Sequence, residues 1–166
     1  MSKINLMNAE LANRIAAGEV IDRPASVVKE LVENSIDAKS KRIQISISEA
    51  GKKEIRVADD GTGMDRVDAE LCFLRHASSK LKSIYDLRRI TTMGFRGEAL
   101  PSIASISNVE MTTYDGGNAP GTKVTIVPGS EPIIEDSLQR KGTIFTVRNL
   151  FFNTPARLKY LKSDMT

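Results

Sequence analysis

Six short stretches in which apolar and polar residues alternate constrain this chain more than any other feature of it. Arg42 to Ser48 carries Ile43, Ile45 and Ile47 on one side, and Glu54 to Val57 resumes the alternation after a turn at Gly51 and Lys52. Asn108 to Thr113, Thr122 to Val127, Ile133 to Asp136 and Thr143 to Arg148 continue it, separated by turn signals at Asp115-Gly116-Gly117-Asn118, Pro128-Gly129 and Lys141-Gly142. A period of two sends successive side chains to opposite faces of a sheet, and connections this short join neighbours that run in opposite directions. The first pair is predicted to be a β-hairpin and the last four an antiparallel meander.

Helical spacing fills the rest. Pro24 to Ala38 has a proline in its first turn, and Val27, Val28, Leu31, Val32 and Ile36 recur so as to make one apolar face. Residues 7–18, with Asn8 as cap and Leu11, Ile15 and Ala16 behind it, predict a shorter amphipathic helix ended by Gly18, and residues 65–75 another through Val67, Leu71 and Leu74. Residues 76–93 lose clean periodicity and are expected to be a mobile loop, with one helical turn near Tyr85 to Leu87. Gly94-Phe95-Arg96-Gly97 then opens an apolar helix from Glu98 to Ile106, and Thr154-Pro155 announces a basic one. The 166 residues suit one domain with a real core.

Composition excludes several classes. No apolar run reaches the length of a membrane span, and Glu10, Arg14 and Glu19 interrupt the stretch where a secretory signal would need unbroken apolar residues, so a cytoplasmic protein is expected. A lone Cys72 and a lone His76 exclude an internal disulfide and a structural zinc. A net charge of +3 permits contact with nucleic acid without demonstrating it. Arg140, Lys141, Arg148, Arg157, Lys159 and Lys162 are the residues that would make such contact, and solubilising charge accounts for them equally well.

Three stretches carry potential chemistry. On the helix after Pro24, Glu30, Asn34 and Asp37 fall on one polar stripe whose Asn34 edge adjoins the apolar face, and asparagine is a poor helix former there. Asp59-Asp60-Gly61-Thr62-Gly63 puts two carboxylates and two glycines at the end of a strand, and Gly94 to Gly97 precedes a helix N-terminus that can bind an anion. Taken singly, a solvated helix flank, a plain turn and a plain cap explain the three. Together they offer a carboxylate for an exocyclic amino group, amides for phosphates, an amide oxygen for Mg2+ and a general base in Glu30. No Walker loop occurs, and Met64 stands where an EF-hand loop beginning at Asp59 would need glycine.

Glu30-Leu-Val-Glu-Asn34-Ser-Ile-Asp37-Ala38, Asp59-Asp60-Gly61-Thr62-Gly63 and Gly94-Phe95-Arg96-Gly97-Glu98-Ala99-Leu100 resemble the three nucleotide motifs of the GHKL ATPases. More narrowly, the run from Ile15 to Ser35, Arg75-His-Ala-Ser-Ser-Lys80 and Phe152-Asn-Thr-Pro-Ala-Arg157 are similar to the MutL mismatch-repair proteins of bacterial type. The resemblance implies an α+β fold: a two-layer α/β sandwich of the Bergerat type, with helices on one face of a mixed, largely antiparallel sheet. It implies ATP and Mg2+ as cofactors, Glu30 as general base, Asn34 as magnesium ligand, Asp59 as adenine reader and Thr143 as a second contact near the base.

Ala38, Gly63 and Met64 join the nucleotide contacts by the same likeness. Ser78, Ser79 and Lys80, with Gly94, Phe95, Arg96, Gly97, Ala99 and Leu100, would form the lid and the phosphate cradle. Residues 1–20 would embrace a second MutL-type subunit when ATP binds, with a mismatch-recognition protein and DNA as partners of the full-length protein. Residues 1–166 are then expected to be an N-terminal ATP-binding domain cut off at its C-terminal end, with the following transducer and C-terminal domains absent. Hydrolysis in the family is completed by a lysine from that following domain. The rival expectations are a nucleotide-sensing module that never splits ATP, and another GHKL branch such as topoisomerases, chaperones or histidine kinases, which would not carry Asn153-Thr-Pro-Ala-Arg157.

Overall fold

The computed structural model describes residues 21–74 and 99–161. The expected helix at 7–18, the loop at 76–93, Gly94 to Gly97 and Lys162 lie outside the described residues. Helix α1 (Pro24–Asp37) starts as predicted, with extended Arg23 before a proline at the first helical position. Val27 and Leu31 are fully buried, and the same step of four brings Ser35 inward at 1% exposure, while Ile36, expected on the core face, is 60% exposed. One residue of rotation, about 100°, separates the two, and what lies beneath decides which of them is covered.

Strand β1 (Ile43–Ser48) and strand β2 (Glu54–Asp59) form the predicted hairpin, joined through the 3-10 turn Glu49–Gly51, where Ala50 has φ 55° and Gly51 φ 88°. Helix α2 (Arg66–Leu71) is shorter than predicted; the Asp65 side chain caps it by accepting the Asp68 N–H at 2.8 Å. Helix α3 (Ala99–Ser105) is buried along most of its length. Strands β3 (Asn108–Tyr114), β4 (Gly121–Ile126), β5 (Ile133–Ser137) and β6 (Gly142–Arg148) follow, then helix α4 (Pro155–Tyr160).

The strands form one sheet in the order β1-β2-β6-β3-β4-β5, and each described pairing is antiparallel. The meander is therefore only half right: β3, β4 and β5 follow it, but β6 leaves β5 and inserts between the hairpin and β3. Alternation can mark a strand without saying which neighbour it takes, and β6 is apolar enough for a central place: Phe145 and Val147 are buried on one face and Thr146 on the other.

Register turns the sheet into rows. Ile45, Val57, Phe145, Met111, Val124 and Ile134 stand in line, and Ile47, Ile55, Val147, Val109 and Ile126 form the next line. Beyond Ile45 and Ile47 of the edge strand, both rows meet Val27, Leu31, Ala69, Cys72, Leu100, Ile103 and Ala104 of the helical layer in a single core. Each large side chain fully buried there contributes about 1.5–3 kcal/mol. Burial also pushes the Cys72 thiol above its usual pKa, which suits a packed side chain rather than a reactive one.

The opposite face of the sheet is polar, with Lys123 on Glu110 at 2.9 Å and Arg148 on Glu54 at 3.0 Å. This is the two-layer arrangement, helices on one face, that the sequence implied. Helix α1 packs over β2 and leaves the edge strand less covered, so Ile45 and Ile47 remain 46% and 53% exposed. No helix among the described residues is long and apolar enough to cross a membrane.

Candidate functional site

One further row on the helical face breaks the apolar pattern: Asp59, Thr143, Thr113, Thr122 and Asp136 are aligned across β2, β6, β3, β4 and β5. Thr113, Thr122 and Thr143 are buried, so each hydroxyl there needs a partner. This row explains Ser35, because the inward face of α1 meets a carboxylate here instead of an aliphatic side chain.

Asp59 ends β2 and is held from three directions. Its Oδ1 accepts the Gly61 N–H at 2.9 Å and the Thr143 N–H at 3.2 Å, and its Oδ2 accepts the Ser35 hydroxyl at 2.6 Å. Gly142 lets β6 come this close: its φ is 129°, and a Cβ there would overlap the Asp59 carbonyl oxygen. Thr113 and Thr143 share a hydrogen bond of 2.8 Å, and Thr113 Oγ1 also accepts the Met64 N–H at 2.9 Å. The loop after β2 is thereby tied to the middle of the sheet. Gly63 sits at φ 67° against the Tyr114 carbonyl, where a Cβ has no room, and the Thr62 N–H donates to Ala38 O at 2.9 Å.

Asp60, adjacent to Asp59 in sequence, has a different task. Its Oδ1 accepts the Lys41 and Arg42 N–H groups at 2.8 and 2.9 Å, which closes the loop onto the start of β1. Those bonds, Arg42's first, hold its carboxyl below the usual range despite its exposure.

The described residues thus bring together Asp59, Thr143, Gly63, Met64 and Ala38, all named from the sequence. Glu30 and Asn34 lie on α1, the helix that reaches Asp59 through Ser35. Both are half-buried, and Glu30 Oε2 is shut off from solvent. Ala99 and Leu100 are buried at the start of α3, and Leu100 belongs to the core, so a ligand would meet their backbone rather than their side chains. Ser78, Ser79, Lys80, Gly94, Phe95, Arg96 and Gly97 lie outside the described residues. Of the basic residues considered for DNA, Arg148 is paired with Glu54, and Arg157 donates to Asp22 O at 3.2 Å with its guanidinium 5.9 Å from the Phe151 ring centre.

Sequence reasoning passed over Ser35 and Thr113. The only signal was a buried-pattern position occupied by a hydroxyl, since Ser35 continues the Val27, Leu31 step and Thr113 the Val109, Met111 alternation.

A protein-family model described as histidine kinase-, DNA gyrase B- and HSP90-like ATPase matches residues 22–127, which contain the whole Asp59 loop and α1. The chain belongs to that ATPase family. The sequence is 58% identical over all 166 residues to the DNA mismatch repair protein MutL of a Geobacillus species and 55% identical to that of Acidobacterium capsulatum. It spans about a quarter of the length of these relatives, 27% and 25%. Among solved structures, the N-terminal domain of a DNA repair protein superposes with a TM-score of 0.78 at 33% identity, over 94% of this chain and 45% of that one. The Aquifex aeolicus MutL ATPase domain complexed with ADP gives 0.63 at 32% identity, over 88% and 50%. The likeness thus covers about half of each of these solved chains, and the fold expected from the family resemblance is the one found.

Proposed function

We propose that this chain binds Mg-ATP, that ATP orders a lid and drives N-terminal dimerisation, and that slow hydrolysis resets the switch in DNA mismatch repair. The observation that carries this reading is the fixed Asp59 carboxylate, an acceptor held at the polar end of the sheet beside a glycine-rich loop. Adenine presents a 6-amino donor for that carboxylate, and Gly61 and Gly63 let the loop after β2 pack against Ala38 and Tyr114. The relative solved with ADP supports nucleotide binding on this fold.

Each element then has a role. Thr143, Ala38, Gly63 and Met64 line the base beside Asp59. Ser78, Ser79 and Lys80, with Gly94 to Gly97 and the backbone of Ala99 and Leu100, close over the phosphates. Magnesium keeps several waters and leans on phosphate oxygens, so it asks only one or two oxygens of the protein, and the Asn34 side-chain oxygen suits it. When bound, the ion neutralises charge that develops on the phosphates. Glu30, one turn before Asn34, orients the attacking water and takes its proton on a carboxylate oxygen. A lysine beyond residue 166 completes hydrolysis, so the chain alone binds ATP and turns it over poorly. In the full-length protein the partners are a mismatch-recognition protein and DNA, in the cytoplasm.

The test is ATP turnover in a protein lengthened to the span of the solved MutL ATPase domains, with Glu30→Ala beside it. Turnover is expected to fall at least about a hundredfold with ATP affinity retained, and unchanged turnover would refute the role. Equal dimer affinity with ATP and with ADP would remove the switch and leave a binding module.

A further inference from the structure

We propose that Ser35 is a positioning residue that gives the site its preference for a 6-amino purine by fixing the Asp59 carboxylate, an inference that rests on the adenine reading above. Serine in mid-helix ordinarily points to solvent or bonds back to the carbonyl four residues earlier. Ser35 does neither: it is 1% exposed and its hydroxyl reaches Asp59 Oδ2 across the helix–sheet interface at 2.6 Å.

The geometry says why that bond matters. The terminal torsion of an aspartate is broad and two-fold, so its carboxylate plane has to be pinned by its neighbours. Gly61 and Thr143 both act on Oδ1. Ser35 alone among these three donors acts on Oδ2, and it comes from a different layer of the fold. It occupies one acceptor position of Oδ2 and leaves the other aimed in a fixed direction. An oxygen so placed takes an N–H from position 6 of a purine; a carbonyl at position 6 would set acceptor against acceptor. Because Ser35 follows Asn34 directly, the same turn of α1 that sets the base carboxylate also carries the residue assigned to the metal.

The experiment compares ATP, GTP and purine riboside triphosphate, which has hydrogen in place of the 6-amino group, by calorimetric titration of wild type, Ser35→Ala and Ser35→Cys. Cysteine keeps the volume and substitutes a weak donor, so it reports on the hydrogen bond where alanine also leaves a void. Both variants are expected to bind ATP about tenfold more weakly, the loss appropriate to one hydrogen bond to a charged acceptor. Both should bind purine riboside triphosphate as wild type does, and the gap between ATP and GTP should shrink. Equal losses for ATP and purine riboside triphosphate would mean that Ser35 only packs the helix and would overturn the proposal, as would unaltered ATP affinity in both variants. Asp59→Asn separates the two levels. If it keeps wild-type discrimination, the adenine reading fails and Ser35's role with it. If it loses discrimination while both Ser35 variants keep it, the role of Ser35 alone is rejected.

Discussion

Along β6, Phe145 sits in an apolar row with its ring edge-on to Phe73 at 6.3 Å between centres, whereas Thr143, two residues earlier on the same face, lies in a net of directed hydrogen bonds. The contrast separates two ways of holding a sheet to its helices. Packing in the Phe145 row is close to non-directional, so it resists loss of volume but accepts rearrangement. The Thr143 row is joined from Asp59 to Thr113 by directed hydrogen bonds, and a change that moves no volume can still break it.

Phe145→Ala should have the largest effect, about 3–5 kcal/mol of stability. A denaturant midpoint reads it, and the molecules that remain folded should still bind nucleotide. Gly142→Ala comes next, with about 1–3 kcal/mol of strain at its positive φ and a Cβ driven into the Asp59 carbonyl. It should weaken nucleotide binding as well as lower the melting temperature, because it parts the two strands at Asp59. If it affected stability alone, the polar row would lose its claim to be the site. Thr113→Val keeps the volume but strips the partner from Thr143 and from the Met64 N–H, for about 1–3 kcal/mol. Here the loss of affinity should persist under conditions in which the fold is intact.

The smallest effect is a dependence on pH. Asp60 has a lowered pKa in the folded state, so its stabilisation is present above the ordinary carboxylate range and is lost as pH falls through the lowered value. Asp60→Asn keeps an oxygen for the Lys41 and Arg42 N–H groups and removes the proton-binding difference. Its acid unfolding curve should be flatter on the low-pH side than that of the wild type. An unchanged acid limb would assign the sensitivity elsewhere.

The sequence made the parts legible more than their assembly. Strand positions could be read because period two and glycine turns act locally, and α1 because Pro24 and the Val27, Leu31 spacing do too. The insertion of β6 was not legible, since its position depends on which edges the other strands leave open. Ile36 was placed inward and Ser35 ignored for a related reason: helical spacing allows either, and the choice falls to the carboxylate beneath, a residue 24 positions away in the chain. Asp59, Gly63 and Ala38 were named because the family motifs contain them, and Met64 and Thr143 through the same resemblance. Thr113 has no motif and acquires its place only through register.

The central position of β6 also bears on how the protein is made. The hairpin of β1 and β2 and the set of β3, β4 and β5 are two half-sheets without a shared edge until the last strand arrives, and the bond from Thr143 to Asp59 spans 84 residues. On the ribosome, nearly nine-tenths of this stretch must emerge before β6 can join Asp59 to Thr143, because β6 ends at Arg148 of 166 residues. Such distant pairing slows folding and leaves open strand edges exposed meanwhile. A nascent chain stalled before Gly142 would therefore offer chaperones two unfinished sheet margins and leave Asp59 without its bond from Thr143.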